Sequence, residues 1–186
     1  MTEKVASQKS ETSNVSVFIG WSGTQSQAVA EALHGWLPRV IQTVRPFMSE
    51  IDIPSGTKWQ ETLDDEIRKA RFGILCLTPE NKERPWVLFE AGALSALKGR
   101  QVCPYLFGLS NTDLSGPPLT VFQSNSANHD GTFKLVKAVN ALLSYAAGQI
   151  GTLGNLRLMV AQVREEAEGG THPKDASAWA QRTRNA

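Results

Sequence analysis

The seven residues from Phe72 to Thr78, FGILCLT, are apolar almost without interruption. A run this short and this apolar is a strand buried on both faces, so the chain must pack other elements above it and below it. VSVFIGW, from Val15 to Trp21, is a second strand of this kind, rich in β-branched and aromatic residues and emptying into a Ser-Gly turn. VCPYLFG, from Val102 to Gly108, is a further strand, but Pro104 cannot donate to a ladder and directs it toward an edge or a bulge. RPFMSE and LTVFQ are shorter strand candidates.

Between these runs the apolar spacing lengthens to three and four. Val29, Leu33, Trp36, Leu37, Val40 and Ile41 share one helical face, with Pro38 expected to kink that helix or end its regular part. After RPFMSE and the loop IDIPSG comes TKWQETLDDEIRKA, where Thr57 and Gln60 form a capping-box pattern and Trp59, Leu63, Ile67 and Ala70 the apolar stripe. RPWVLFEAGALSAL, from Arg84 to Leu97, supplies the helix after FGILCLT, with Trp86, Phe89, Ala93, Leu94 and Leu97 on its apolar side. A last helix is expected from Thr132 to Ala147, stopped by Gly148. Strands alternating with helices at this spacing predict an α/β fold with a parallel sheet and helices on both faces.

The organisation is then a polar flexible leader over residues 1–14, one domain over 15–147, and a C-terminal helix and flexible tail over 148–186. In that last part Leu153, Leu156, Val160, Val163 and Ala167 form a heptad-like stripe, suited to an extra helix or to contact with another chain. Nineteen Lys+Arg against eighteen Asp+Glu leave a formal charge of +1, so nothing in the overall balance favours nucleic acid or an anionic membrane. Any ligand must be recognised locally. Cys76 and Cys103 lie in separate apolar runs without CxxC spacing and read as reduced core thiols, and His34, His129 and His172 form no cluster, so no metal site is expected. With no apolar leader and no run near the ~18 residues of a membrane span, the chain reads as cytoplasmic.

In an open α/β sheet ligands gather outside the carboxyl ends of the strands, where three loops would meet here: GWSGTQS, IDIPSG and TPENKERPW. Glu90 lies one turn into the helix after the third, among apolar neighbours. Near a helix N-terminus the macrodipole favours its charged form, so it is expected to ionise even when half-buried. Two readings stay open on pattern alone: a carboxylate that caps a backbone N–H or pairs with Arg84, and a catalytic acid beside the aromatic Trp86 four residues earlier. GWSGTQS places glycines and hydroxyls where N–H groups could cradle a phosphate, or where a glycine turn and a hydroxyl merely start a helix. It is neither GxGxxG nor a Walker A motif, no G-x-S-x-G elbow exists, and LDDEIRK reads as a solvated face with pairs such as Asp64 to Arg68.

Taken in order, VFIGWSG, MSEIDIPSGTKWQETLDDEIRKA, GILCLTPE and WVLFEAGAL resemble the TIR domain (Toll/interleukin receptor family), especially its bacterial members, over roughly residues 15 to 145. The resemblance implies a flavodoxin-like sheet of about five parallel strands. It also implies cleavage of NAD+ at the nicotinamide-ribose bond, with NAD+ as substrate and no cofactor. Carried over residue by residue, Glu90 matches the catalytic glutamate and Trp86 the tryptophan of the W-x-x-x-E motif. Gly20, Trp21 and Ser22 fall in the loop lining the nucleotide pocket, and Asp52, Gly56 and Trp59 in or just after the BB loop. Gly20-Trp21-Ser22 departs from the aromatic-Ser ending more common in the family. The resemblance further implies activity gated by assembly with other TIR copies or by a sensor, in bacterial anti-phage defence. A non-catalytic TIR interaction module and a nucleoside deoxyribosyltransferase-like enzyme are the competing readings.

Overall fold

FGILCLT forms the central strand of the sheet. In the computed structural model, which describes residues 14–53, 58–142 and 161, β3 (Phe72–Leu77) is buried at every position and lies between β1 (Val15–Gly20) and β4 (Gln101–Leu106). β2 (Val44–Phe47) flanks β1, β5 (Asn125–Ser126) flanks β4, and every pairing is parallel in the order β2-β1-β3-β4-β5. The chain steps outward from β1 to β2 and then crosses back to β3, so strand order reverses between β1 and β3. That is the switch point of a doubly wound, flavodoxin-like sheet, where the loops above neighbouring strands diverge and leave a crevice.

Two cores result from the alternation of side chains across the sheet. On one face, Val17 and Ile19 of β1, Ile74 and Cys76 of β3 and Tyr105 of β4 pack against α1 (Thr24–Val40) and α5 (His129–Ala141). On the other, Phe18, Leu75, Leu77 and Leu106 pack against α3 (Trp59–Lys69) and α4 (Pro85–Ser95). Each fully buried Val, Leu or Ile contributes about 1.5–3 kcal/mol relative to exposure, and the expected stripe of α1, Val29 to Ile41, is buried in full. The two free cysteines are buried in the first core, and Tyr105 Oη shares a 2.7 Å hydrogen bond with Thr132 Oγ1, tying α5 to β4. Gly131 sits where α5 crosses β5: a Cβ there would lie 2.0 Å from the Ser126 carbonyl oxygen, so the close approach needs a glycine.

Several expectations are corrected. α1 runs only two residues past Pro38, to Val40, so the proline stands in its last turn, where it gives up one N–H bond close to the end of the helix. The SE of RPFMSE leaves the strand and opens a single helical turn, α2 (Ser49–Asp52). α3 begins at Trp59 with Lys58 at its N-cap and no side-chain cap, while Thr57 lies outside the described residues. LTVFQ is not a strand: Leu119–Val121 is a 3-10 turn, and the fifth strand is the polar pair Asn125–Ser126, without an apolar pattern to reveal it. α5 starts at His129 rather than Thr132, capped by the Asn128 side chain accepting from Gly131 N at 2.8 Å. Pro104 sits in β4 just before the two residues that pair with β5, so on that side its missing N–H is not needed. On α3 the ion pairs among the described residues are Lys69–Glu66 at 2.7 Å and Lys58–Glu61 at 2.9 Å, not Asp64–Arg68. Residues 1–13 of the proposed leader, the expected end of the last helix at Ala147 and Gly148, and the stripe from Leu153 to Ala167 lie outside the described residues, except that Ala161 is helical.

Candidate active site at the carboxyl edge of the sheet

α4 is positioned by the loop before it. Asn81 is buried: its Oδ1 accepts from Thr78 N at 2.8 Å and its Nδ2 donates to the Cys76 carbonyl at 2.9 Å, closing the chain into a tight turn as it leaves β3. Pro85 then occupies the first helical position, where its fixed φ is prearranged and no N–H is missed. The β1–α1 loop comes alongside, since a Cβ on Gly23 would lie 3.4 Å from Glu80 Oε2 and 3.9 Å from the Arg84 guanidinium. Two of the three loops expected to converge therefore do so. The third loop, including Gly56, lies outside the described residues at positions 54–57.

The buried face of α4 is Val87, Glu90, Ala91 and Leu94. The expected stripe was rotated from this: Phe89 is 52% exposed and stacks on the partly buried Trp86 at 5.5 Å, which places Glu90 on the core side. Glu90 is 2% exposed and lies beneath the end of β1, so close that a Cβ on Gly20 would be 2.5 Å from its Oε2. This is the switch point between β1 and β3. The carboxyl accepts a hydrogen bond from Trp86, while Oε2 is buried without a partner among the described residues. Burial pushes its pKa from the ordinary 4.5 to about 8, against the smaller downward pull of the Trp86 hydrogen bond. The expected ionisation by the helix dipole is overturned because Glu90 stands in the second turn, beyond the dipole's reach, and is buried rather than half-buried. The capping reading falls as well: Arg84 holds the N-cap without a side-chain cap, and its guanidinium Nε donates to the Glu80 carbonyl.

The other expected site residues are distributed around this point. Trp21 turns to the opposite face and packs on the α1/α5 core, its indole Nε1 buried and without a hydrogen-bond partner among the described residues. Ser22 is half-buried at the start of α1, where its N–H donates to Ser26 Oγ at 2.9 Å and its carbonyl accepts from the same hydroxyl. The buried Ser26, not anticipated from the sequence, thus closes this loop upon itself. Asp52 ends α2, its Oδ2 accepting from Met48 N at 2.6 Å and meeting His34 Nε2 at 3.0 Å. Burial would raise the Asp52 pKa, but the hydrogen bonds of His34 and Met48 outweigh it and hold the carboxyl below its ordinary 3.8. Trp59 opens α3. On the outer side, Gln60, Leu63 and Asp64 of α3 with Pro85, Trp86 and Phe89 of α4 line an open groove of about 300 Å³, which Trp86 links to Glu90. The described residues hold no cluster of His, Cys, Asp and Glu able to bind a metal ion, and no helix long and apolar enough to cross a membrane.

The architecture agrees with the sequence comparison: residues 17–138 match the TIR domain, and the chain belongs to that family. No curated protein matches the chain. The parallel sheet with helices on both faces is the TIR arrangement, and the family includes both NAD+ hydrolases and signalling adaptors whose members commonly associate with one another.

Proposed function

We propose that the protein is an NAD+ glycohydrolase in which Glu90 is the catalytic residue, releasing nicotinamide and leaving ADP-ribose or a cyclic isomer of it. The observation that carries this reading is the buried Oε2 of Glu90, without a hydrogen-bond partner among the described residues, at the β1/β3 switch point. A polar group buried unsatisfied costs about 1–3 kcal/mol, and such groups concentrate where a ligand completes the hydrogen bonding.

At rest, near neutral pH, Glu90 is mostly protonated, because its pKa of about 8 lies above the medium. NAD+ brings a cationic pyridinium ring and ribose hydroxyl donors, both of which favour the carboxylate. Nicotinamide leaves as a neutral molecule, so its departure requires no general acid, unlike the two-carboxylate arrangement of ordinary glycosidases. Positive charge then develops on the ribose, and a carboxylate held in a site of low polarity stabilises it. Trp86, already bonded to Glu90, holds the carboxyl and presents an aromatic edge to the sugar. The resemblance extends the proposal to activation by association of TIR copies, or by a sensor, in the bacterial cytoplasm during anti-phage defence.

The test is nicotinamide release from NAD+ at high protein concentration. Glu90→Gln is expected to lower it by about 10²-fold or more with circular dichroism unchanged; equal release by the variant sinks the assignment. A second reading, a non-catalytic interaction module, is favoured by the exposed Phe89 stacked on Trp86 beside the open groove. It predicts no release from either protein and loss of self-association in Phe89→Ser.

A further inference from the structure

Gly20 is placed among the nucleotide-lining residues by resemblance, yet its geometry gives it another task. The position a Cβ would occupy there lies 2.5 Å from Glu90 Oε2, 2.8 Å from Leu75 Cδ2 and 3.2 Å from Phe18 Cε1. The carboxyl therefore fills the space left by the absent side chain, beneath the last residue of β1 and away from solvent. We infer that Gly20 is a positioning residue: its missing side chain forms the niche into which the Glu90 carboxyl withdraws at rest, and from which it must move to meet the substrate.

This inference rests on the reading of Glu90 as the catalytic carboxylate for its functional meaning, but not for its geometry. In the withdrawn position Oε2 is buried and has no hydrogen-bond partner among the described residues, so nothing polar holds it there except the Trp86 bond to the same carboxyl. From the sheet, the titratable group coupled to it is Cys76, a fully buried thiol whose pKa burial raises far above its ordinary value, so no charge opposes or attracts the carboxyl from that side. From α4 it meets the Trp86 indole, which carries no charge. A ribose hydroxyl or a pyridinium cation at the mouth of the crevice offers what the niche lacks, and favours a rotamer that brings the carboxylate outward.

A methyl group at position 20 is accommodated cheaply, because the two nearest atoms, Glu90 Oε2 and Leu75 Cδ2, are the far ends of flexible side chains. Gly20→Ala should expel the carboxyl toward solvent without disturbing the pairing of Gly20 with Leu75. Its burial then falls, and its titration moves back toward the ordinary carboxylate range.

The experiment is a ¹³C NMR titration of the glutamate-labelled protein, wild type and Gly20→Ala, with nicotinamide release measured across the same pH range. The expected result is a Glu90 midpoint near 8 in the wild type and at least about one pH unit lower in Gly20→Ala, with the kcat/KM profile moving by the same amount. A folded Gly20→Ala protein whose Glu90 titrates like wild type overturns the inference, as does a wild-type Glu90 that titrates near its ordinary value. Should Gly20→Ala fail to fold, the wild-type titration alone decides: a Glu90 midpoint near the ordinary carboxylate range overturns the inference, and one near 8 sustains it. A lowered midpoint with no nicotinamide from either protein sustains the niche and defeats the NAD+ reading. Release with an unmoved midpoint does the opposite.

Discussion

Asp52 and Glu90 are both expected site carboxylates, yet the regions around them treat the same functional group in opposite ways. After β2, Asp52 receives the Met48 N–H and the His34 imidazole, and those bonds outweigh its partial burial. At α4, Glu90 has the Trp86 bond and one oxygen without a partner among the described residues, and burial wins. Depth and donors act together: Asp52 is exposed and receives two donors, whereas Glu90 is buried and receives one, and the two differences select opposite protonation states. The satisfied acid holds a helical turn in place before the next loop; the unsatisfied one stores a hydrogen-bonding demand that a ligand can meet.

The contrast breaks most visibly in stability against pH. Between its unfolded value of 4.5 and its folded value of about 8, Glu90 binds a proton in the native state that the unfolded chain has released. The native state holds more protons there, so stability falls as pH rises through that window, by a few kcal/mol at most on the order-of-magnitude scale of one such shift. Glu90→Gln removes the titration: its melting temperature should vary less from pH 5 to 9 and exceed wild type at pH 9. Identical slopes for the two proteins would show that Glu90 is not held neutral.

Asp52 should behave with the opposite sign. Its folded pKa is lowered, so its contribution is present above its ordinary 3.8 and is lost as pH falls through the folded value. Asp52→Ala is expected to cost about 1–2 kcal/mol at neutral pH, from the cap-like bond to Met48 and the bond to His34. In denaturant titrations His34→Ala should overlap with this loss rather than add to it, whereas strict additivity would mean the pair contributes nothing. The smallest effect is Phe89→Ser: with 52% of the residue exposed, it should cost about 1 kcal/mol or less, chiefly the stacking on Trp86, read from the same titrations.

The sheet and its flanking helices were legible because burial on both faces leaves continuous apolar runs and one-sided stripes. FGILCLT and the α1 stripe from Val29 to Ile41 occupy the positions their patterns required. β5 was illegible for the same reason, since Asn125–Ser126 pairs through its backbone and carries no apolar signal. At the site, Glu90 stood out as an acid among apolar residues, but the sequence pattern misjudged which side of α4 was buried, taking Phe89 inward. Which side faces inward depends on how α4 packs on the sheet, where Val87, Ala91 and Leu94 join the core of Phe18, Leu75 and Leu106, a tertiary fact the helical spacing does not carry. The closeness of Gly20 to Glu90 joins residues seventy positions apart, and only the β1–β3 pairing brings them together. Ser26 and Asn81 carried a local signal, a small polar residue in a loop or first helical turn, which becomes readable once the loops are known to converge.

The most direct test of the central claim is the pH dependence of nicotinamide release by concentrated wild-type protein, with Glu90→Gln as the reference. Release that depends on Glu90 should rise in kcat/KM through about pH 8, the free-protein titration of that carboxyl, and in kcat at lower pH, because the cationic substrate favours the carboxylate. Release that is flat across this range, or that survives in Glu90→Gln, would contradict the account.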